Sequence, residues 1–510
     1  MNPHATWLSE TEISNAKTII VIGDVSDQVI AECMEMYTLG FFLVSKNASP
    51  SFTTRNFFLS NPNTDQKKFA KNINEFLILD PQNTPEVKVS TSVKEGETAL
   101  YEKLLQIVLT EIDTLLRARK TRKETGFTRQ LQIFSNLNGY LLSRMPEDWR
   151  NLGQRRLVIV VGAGPSLDIT LRHIKCGLPP SIIVAADSSL KALAKEDITP
   201  HFVVSIDPDK SADTCTESSL NPGIAILSSQ SHPSWAEAWS NKCYISGRVI
   251  TEDWLAERGV GKTSLLAINN AGLTALAFAD FINPAAIIMI GLDLSGGGEG
   301  NIRYAKNTGR SHIEINASIF HDIPGNFEKT VRTPFFSDWK ETSELCLTFS
   351  SRRTIINLND RGAMLEGSSL VHPDDFEEVK KVLNENIEPI ELTEVNILEN
   401  RRSIKGLGLT QVLTLLATKC DQIWNRLEEE NLDINPSAFF RNILSDKDTA
   451  SMLGDFAFSI MPNLANLDNH ECLLAEVDQL KHLIWKLEDG ILECDPPEEF
   501  IIRFLTEKFS

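Results

Sequence analysis

A glycine-rich loop after an apolar run has the residue types best suited to bind a phosphate. Residues 157–161 are apolar or β-branched and lead directly into Gly162-Ala-Gly164-Pro-Ser166. Glycines let the backbone approach a ligand closely, and a helix with Ser166 as its N-cap would point unpaired amide groups at an anion. Leu167 stands where a dinucleotide-binding fingerprint has its third glycine, so the loop predicts an anion site or only a tight turn.

Three aspartates extend this pattern. Asp187, Asp207 and Asp293 each follow an apolar run of the strand type. Any one of them alone could simply cap a helix or turn a loop. Because open α/β sheets bind ligands at the carboxyl ends of their parallel strands, the three together predict a ligand cleft at that edge of the sheet.

The sequence contains no strong metal or disulfide pattern. Asp207-Pro-Asp209 is similar to the Asp-x-Asp that holds a divalent cation on a sugar-nucleotide diphosphate, but the match is single and contains proline. The eight cysteines are scattered without a C-x-x-C pair, so neither a zinc site nor a disulfide framework is predicted. We predict no required cofactor and leave a need for a divalent cation open.

A second glycine-rich segment, Gly259–Ser264 (GVGKTS), has the tail of a Walker A motif. That motif needs a strand before it and its first glycine at position 256. Ala256 instead lies in the helix-like residues 251–258 (TEDWLAER). We interpret the segment as a charged turn before a buried helix over residues 263–279.

The elements that position the loop and the aspartates follow a strand, loop and helix pattern that repeats from residue 157. This pattern predicts an α/β protein with a doubly wound, Rossmann-like central domain. A strand at 18–23 and a helix at 25–37 predict a small α/β domain before it, and helical patterns such as 410–430 and 471–488 predict an all-helical domain after it. The expected domains are 1–124, 125–386 and 387–510.

Length and charge limit the function classes. A chain of 510 residues with 42% hydrophobic residues is expected to form more than one domain. A net charge of −19 argues against nucleic-acid binding, which needs clustered Lys and Arg. The N-terminus lacks a signal-peptide pattern, and the charge-free run 263–279 is shorter than the roughly 20 apolar residues of a membrane span. We therefore predict a cytoplasmic protein without a membrane span.

An ordered set of motifs resembles the central domain of the motility-associated factor (Maf) glycosyltransferases. The set is GAGPSLD, IIVAADSSLKAL, ITPHFVVSIDP, NNAGLTALAFA and IIMIGLDLS, followed by residues 304–306 (YAK), 324–326 (PGN), 331–333 (VRT) and 357–367 (NLNDRGAMLEG). It covers roughly residues 125–370. The family is more distantly similar to bacterial sialyltransferases, which use CMP-activated sugars and share the Gly-x-Gly-Pro-Ser-Leu loop.

The resemblance implies transfer of a nonulosonic sugar, such as pseudaminic or legionaminic acid, from a CMP donor to Ser or Thr of flagellin, its partner protein. It implies that the loop holds the phosphate of CMP and that Asp187 and Asp207 line the ribose or base side. The turn at 270–272 would contact the nucleotide, and Tyr304 the phosphate. The nucleotide-binding residues implied are Gly162, Gly164, Pro165, Ser166, Asp187, Asp207, Asn270, Ala271, Gly272, Asp293 and Tyr304.

The catalytic base departs from the pattern of the sialyltransferases. Asn326 stands where their histidine activates the acceptor, and Ser295 where a second tyrosine is expected. An amide cannot accept the proton of a hydroxyl. Neighbouring groups could substitute if they come within hydrogen-bond reach of the acceptor. The candidates are His321, then Asp322 and Glu328, with His312 a weaker one.

Two other functions remain open from the sequence. The same region resembles archaeal 6-hydroxymethylpterin diphosphokinases, in which the cleft would hold ATP and a divalent cation, with Asp207 and Asp209 as metal ligands. Alternatively, the chain is a flagellin-binding chaperone whose nucleotide pocket is degenerate. Domains on both sides of the central one favour a protein substrate over a small one.

Overall fold

The computed structural model describes residues 7–10, 16–47, 56–77, 79–80, 83–93, 95–175, 181–217, 223–296, 301–313, 315, 320–377, 380, 383, 387, 407–429, 435–464 and 470–496. The chain divides into two compact units, Met1–Glu124 and Thr125–Ser510. The predicted boundary near residue 386 lies outside the described residues and stays a prediction. No described helix is both long and apolar enough to cross a lipid bilayer.

The first unit contains a five-stranded sheet in the order β1-β5-β2-β3-β4. Strands β2 to β5 are parallel, and β1 pairs with β5 in the antiparallel direction. Buried apolar side chains cover both faces of β2 and β3, as their unbroken apolar sequences predict. The strands are β1 Trp7–Glu10, β2 Thr18–Ile22, β3 Gly40–Val44, β4 Phe57–Ser60 and β5 Glu86–Ser90, and the helices are α1 Asp27–Met36, α2 Gln66–Leu77 and the start of α3 Thr98–Ser135.

The second unit is built on an eight-stranded parallel sheet in the order β10-β9-β8-β7-β6-β11-β14-β15. From β6 the chain adds strands outward to β10, then returns to place β11 on the other side of β6. This reversal is the topological switch point, where doubly wound sheets bind ligands. The strands are β6 Leu157–Val161, β7 Ile182–Ala186, β8 Phe202–Ser205, β9 Ile224–Ser228, β10 Lys242–Ile245, β11 Ala286–Ile290, β14 Thr354–Leu358 and β15 Ser369–Val371.

Short helices and two longer ones, α10 and α11, connect these strands, and a hairpin of β12 His321–Pro324 and β13 Thr330–Thr333 follows β11. Successive strand residues point to opposite faces, so Val158 and Val160 pack beneath α10 with Phe278, while Leu157 and Ile159 face the opposite layer. The helices are α4 Leu137–Leu142, α5 Leu167–Thr170, α6 Arg172–Lys175, α7 Leu190–Lys195, α8 Ser234–Ala238, α9 Ile250–Ala256, α10 Ala271–Phe281 and α11 Phe336–Ser350.

Four helices are described in the C-terminal part of the same unit, as the helical pattern predicts: α12 Leu407–Glu429, α13 Pro436–Ser445, α14 Lys447–Leu464 and α15 His470–Glu493. Their buried side chains belong to the same apolar cluster as one face of the sheet. Helix α14 is kinked at Gly454, whose φ is +46° and which lies against Thr251 of α9. These helices are therefore packed onto the α/β core.

The predicted mixed α/β class with a helical C-terminal region is confirmed. The buried helix predicted over 263–279 is wrong in its first half, since α10 begins only at Ala271. Asn270 stops the helix there, because its extended backbone and its side-chain oxygen, which accepts from the Leu273 amide at 2.8 Å, form an N-cap. Charge-free composition alone did not reveal this start.

Candidate functional site

An open cleft of about 650 Å³ lies at the switch point of the second unit, between the carboxyl ends of β6 and β11. Five segments form most of its wall: the loop after β6, the end of β7, the end of β11, the start of α10, and the residues around 303–304. Of the residues that the sequence assigned to the nucleotide, the cleft is lined by Gly162, Gly164, Asp187, Asn270, Ala271, Gly272, Asp293 and Tyr304.

The glycine loop packs tightly on the neighbouring strand end. A Cβ on Gly164 would collide with Oδ2 of Asp293, and a Cβ on Gly162 would collide with the carbonyl oxygen of Gly291. The Gly164 amide donates to that same carbonyl at 2.8 Å. Gly164 is therefore required by the carboxyl of Asp293, and its expected contact with a phosphate stays a prediction.

The expected N-cap role of Ser166 is wrong. Ser166 has helical backbone angles and makes no capping hydrogen bond, and the helix after it, α5, has only four residues. Its buried hydroxyl lies instead 2.9 Å from Oδ2 of Asp293 and 2.7 Å from Oδ1 of Asn359. Ser166 thus links the glycine loop to β11 and β14, and the amide groups of α5 are not the main anion site.

Helix α10 is the long helix that presents its start to the cleft. Its first residues, Ala271 and Gly272, line the wall, and amides in the first turn of a helix have no acceptor within the helix. A helix of eleven residues in this orientation favours a negative charge at its N-terminus. The predicted turn at 270–272 therefore supplies the helix N-terminus that was expected after Ser166.

Asp187 and Lys210 form a buried ion pair at the ends of β7 and β8. The Lys210 ammonium lies 3.0 Å from Oδ1 of Asp187, which also accepts from Ser188, while Oδ2 accepts from Ser205. Burial lowers the pKa of Lys210, but the carboxylates of Asp187 and Asp207 outweigh it, and the pKa lies above its usual value. Lys210 is thus held charged in the cleft wall.

Asp207 and Pro165, both expected in the nucleotide site, do not belong to the described lining of this cleft. Asp207 accepts the backbone amide of Asp209 at 3.0 Å and lies 4.0 Å from the Lys210 ammonium. Burial and the charge of Asp207 raise the pKa of Asp209. The described residues form no group of three or more side chains arranged to hold a metal ion.

Tyr304 is buried in the cleft wall and its ring contacts two guanidinium groups, of Arg303 at 5.0 Å and Arg310 at 5.2 Å from the ring centre. Arg303 also lines the cleft and lies over Phe335. Among the described residues Arg303 forms no ion pair within 4 Å. The Tyr304 segment thereby brings a positive charge to the cleft.

Asp338, from α11, completes the wall opposite the glycine loop. Burial raises the pKa of its carboxyl, although the side chains of Asn270 and Asn269 and the charge of Arg303 act to lower it. A half-buried carboxyl with a raised pKa in a cleft is typical of acid–base sites.

A second cavity, with about 890 Å³ of open space, shares Asp293 and Ser295 with the cleft. Pro165 and Glu328 lie in its wall. The rest of its polar wall is formed by Thr330, Arg332, Asp360 and Arg361. Glu328 is the one candidate base that the structure brings to a described cavity wall.

The other candidate bases lie elsewhere. His321, in β12, packs its ring 4.7 Å from that of Phe336, and Asp322 is exposed on the same strand. His312 is exposed, and none of the three belongs to the described lining of either cavity. Their catalytic roles stay predictions without support from the geometry.

Sequence reasoning missed Lys210, Arg303 and Asp338. Lys210 had a detectable signal, because it follows the same strand end as Asp207, and Arg303 directly precedes Tyr304. Asp338 had none: it reaches the cleft only because the β12–β13 hairpin leads α11 back to the start of α10.

Gly259–Ser264 is a turn, as interpreted. The Lys262 ammonium lies 2.6 Å from Asp253 and donates to the Gly247 carbonyl at 2.8 Å. The segment follows α9, not a strand, and does not line either described cavity. Lys262 is therefore occupied by contacts within the protein.

Fold and site together define a doubly wound α/β protein with a cleft at its switch point, lined by Lys210, Arg303 and the start of α10. Residues 132–298 match the sequence model of the family described as 6-hydroxymethylpterin diphosphokinase MptE-like. This part spans β6 to β11 and includes the glycine loop, but ends before Arg303 and the hairpin. No curated protein sequence matches the chain.

The fold is similar to that of a solved structure, the MAf glycosyltransferase from Magnetospirillum magneticum AMB-1. The TM-score is 0.52 at 12% sequence identity, and the alignment covers 94% of this chain and 74% of that chain. At this identity the similarity concerns the fold. It confirms the resemblance to the Maf architecture that the ordered motifs predicted.

Proposed function

We propose that this chain is a glycosyltransferase that moves a nonulosonic sugar from a CMP donor to a Ser or Thr hydroxyl of flagellin in the cytoplasm. The observation that carries the proposal is the convergence of two anion-binding features on one cleft, beside the glycine loop. These are the start of α10 and the cationic side chains of Lys210 and Arg303. The Maf-like fold and the CMP-sugar motifs of the sequence support the choice of donor.

The cleft suits a reaction in which a phosphate leaves. When the bond between sugar and phosphate breaks, negative charge grows on the phosphate oxygens. Preorganised amides at the start of α10 and the guanidinium of Arg303 favour that charge without having to reorient. Lys210 adds a fixed positive charge, although Asp187 neutralises part of it.

The acceptor hydroxyl needs a base on the far side of the sugar. The second cavity meets the cleft at Asp293 and Ser295, so an acceptor entering there would approach the donor from that side. Glu328 lies in its wall and keeps its place as a candidate base, whereas Asp338 is a new candidate on the cleft side. The two candidates are distinguished by kcat and CMP affinity of Glu328→Gln and Asp338→Asn. The variant that lowers kcat but keeps its CMP affinity identifies the base.

A pterin diphosphokinase is the second candidate, favoured by the family model for residues 132–298. It would need ATP with a divalent cation near Asp207 and Asp209. Asp207 lies near the Lys210 ammonium at 4.0 Å, and a neighbouring positive charge disfavours a second cation there. The geometry therefore supports the transferase more strongly.

Calorimetry with CMP, CDP, ATP and NAD, each with and without Mg²⁺, tests the proposal on the full chain. We expect CMP to bind more tightly than ATP without a strict need for Mg²⁺. Tighter, Mg²⁺-dependent binding of ATP would favour the kinase. Flagellin binding without binding of any of the four nucleotides would favour the chaperone.

A further inference from the structure

A chain of buried polar side chains runs from the hairpin to the wall between the two cavities. The Asn357 side-chain amide donates to Oδ1 of Asn326 at 3.2 Å, and that of Asn359 donates to Oδ1 of Asn357. Oδ1 of Asn359 faces the Ser166 hydroxyl, and this hydroxyl lies 2.9 Å from Oδ2 of Asp293. The chain thus ends at a carboxyl that lines both cavities.

The number of protons available in this chain is limited. Oδ1 of Asn359 accepts the Gly291 amide at 2.9 Å, which fixes the orientation of the Asn359 side chain and makes this atom an acceptor. The Ser166 hydroxyl, 2.7 Å away, must then donate its single proton to Asn359. This one proton cannot serve Asn359 and Asp293 at once: when it goes to Asn359, the 2.9 Å approach of Ser166 Oγ to Asp293 Oδ2 is a hydrogen bond only if Asp293 supplies the proton.

The surroundings of Asp293 also favour the protonated form. Its Oδ1 is buried without a hydrogen-bond partner among the described residues, and Gly362 packs against it. Burial raises the pKa of Asp293 to about 7; Asp360 raises it further, while the hydrogen bond from the Ser166 amide and the charge of Arg361 act to lower it. The other charged or titratable groups on the two cavity walls are Asp187, Lys210, Arg303, Tyr304, Glu328, Arg332 and Asp338.

We propose that Asp293 is a positioning residue that acts as a neutral carboxyl: the donor phosphate binds beside the Gly162–Gly164 loop only while Asp293 carries its proton. The carboxyl lies directly against Gly164, so an ionised Asp293 would place a negative charge in the wall that the phosphate must approach. Like charges in such a poorly hydrated site repel strongly. The inference rests on the proposed nucleotide site.

Asp293→Asn separates neutrality from the other roles of the residue. In the variant, no single atom of the asparagine side chain can both accept from the Ser166 backbone N–H and donate to the Ser166 hydroxyl. One hydrogen bond is therefore lost, and CMP binding at pH 6.5 should weaken by up to about tenfold. Above pH 7 the unchanged protein should lose CMP affinity as Asp293 ionises, whereas the variant should not. The ratio of the variant's CMP affinity to that of the unchanged protein should therefore rise by up to about tenfold per pH unit, because one proton is linked to binding. The comparison cancels the titration of CMP itself.

Proton uptake by the unchanged protein is an independent test that does not depend on the folding of the variant. Calorimetry of CMP binding at pH 8 in two buffers of different ionisation enthalpy should show uptake of up to about one proton per CMP. CMP binding without proton uptake, or parallel pH dependence in both proteins, overturns the role of Asp293 but leaves the nucleotide site in place. Absence of any CMP binding contradicts the proposed function itself.

Discussion

At the scale of single residues, the carboxyl of Asp293 determines the shape of the cleft wall. Asp293 occupies the space beside Gly164 and accepts the Ser166 amide at 2.9 Å, so the glycine loop takes its shape from β11. The guanidinium of Arg303, which forms no ion pair within the part of the chain that is described, and the start of α10 then remain to contact an anion.

Gly164→Ala should weaken both the fold and CMP binding. Its Cβ would collide with a buried carboxyl and with the Gly291 carbonyl, and such overpacking costs about 1–3 kcal/mol of unfolding free energy. Urea denaturation and calorimetry measure the two effects. Gly261→Ala is the matched control, since a Cβ there meets nothing within 4 Å. Equal behaviour of the two variants would contradict the packing described for the loop.

Ser166→Ala should cost about 1–3 kcal/mol of unfolding free energy, because the buried Asp293 and Asn359 each lose a partner. The cost arises from these buried groups, not from a helix cap. Denaturation curves for Ser166→Ala and for Ser264→Ala, whose hydroxyl contacts the exposed side of Glu147, provide the comparison. A Ser166→Ala protein as stable as the control would contradict a stabilising role for the buried hydrogen bonds of Ser166.

Arg303→Ala should weaken CMP binding by about 1.5–3 kcal/mol, the usual contribution of a hydrogen bond to a charged group. Arg303 lines the cleft and has no described ion-pair partner, so its charge is available to the ligand. Arg248→Ala serves as control, because that side chain is 76% exposed and pairs with Glu341. Unchanged affinity of Arg303→Ala would place the phosphate elsewhere.

At the scale of elements, strands and site edge were predictable, but helix starts and long-range partners were not. Unbroken apolar runs such as 157–161 predict buried parallel strands, and the aspartates after them mark the ligand edge. The N-terminus that faces the cleft was assigned to α5 instead of α10, because a Gly-x-Gly-Pro-Ser pattern does not determine how long the next helix continues. Asp338 and Asn359 reach the site through tertiary packing, which has no local signal.

The helices α12 to α15 cannot be removed to test acceptor binding. Their apolar side chains share a buried cluster with one face of the sheet, and α14 packs on α9. A chain ending near residue 382 would expose that face, so loss of flagellin binding would not separate docking from folding. Residues 387–510 are acidic, with 11 Lys and Arg against 23 Asp and Glu. We propose that this region docks flagellin, which charge reversals at exposed positions of the full chain would test.

Lys262→Ala should leave nucleotide binding unchanged, because Lys262 pairs with Asp253 at the surface of α9. Calorimetry with CMP and ATP checks this, with circular dichroism as the test of folding. Loss of nucleotide binding by a folded Lys262→Ala protein would mean that Gly259–Ser264 holds a phosphate.

At the scale of the whole molecule, buried carboxyls link stability to pH. Burial raises the pKa of Glu252 to about 7, although its hydrogen bonds with Ser229 and Gly247 act to lower it. In the unfolded chain the pKa of this carboxyl is about 4, so the folded protein holds the proton more tightly. Its contribution to the free energy of unfolding is fully present below pH 4 and is lost as the pH rises from 4 through 7. Asp293 acts in the same direction.

Glu252→Gln should therefore gain stability relative to the unchanged protein as the pH rises from 4 to 7. A glutamine can accept the Gly247 amide and donate to the Ser229 hydroxyl, so it replaces both contacts without a charge. Thermal unfolding of both proteins across this window gives the difference in Tm. A difference that stays constant with pH would mean that Glu252 has an ordinary pKa.

The central claim, that the switch-point cleft is the site of a nucleotide phosphate, is tested most directly by a crystal structure of the full chain with CMP. We expect the phosphate between the Gly162–Gly164 loop and the amides of Ala271 and Gly272, with Arg303 in contact. Phosphate density in the second cavity or at Gly259–Ser264, with this cleft empty at saturating CMP, would contradict the account.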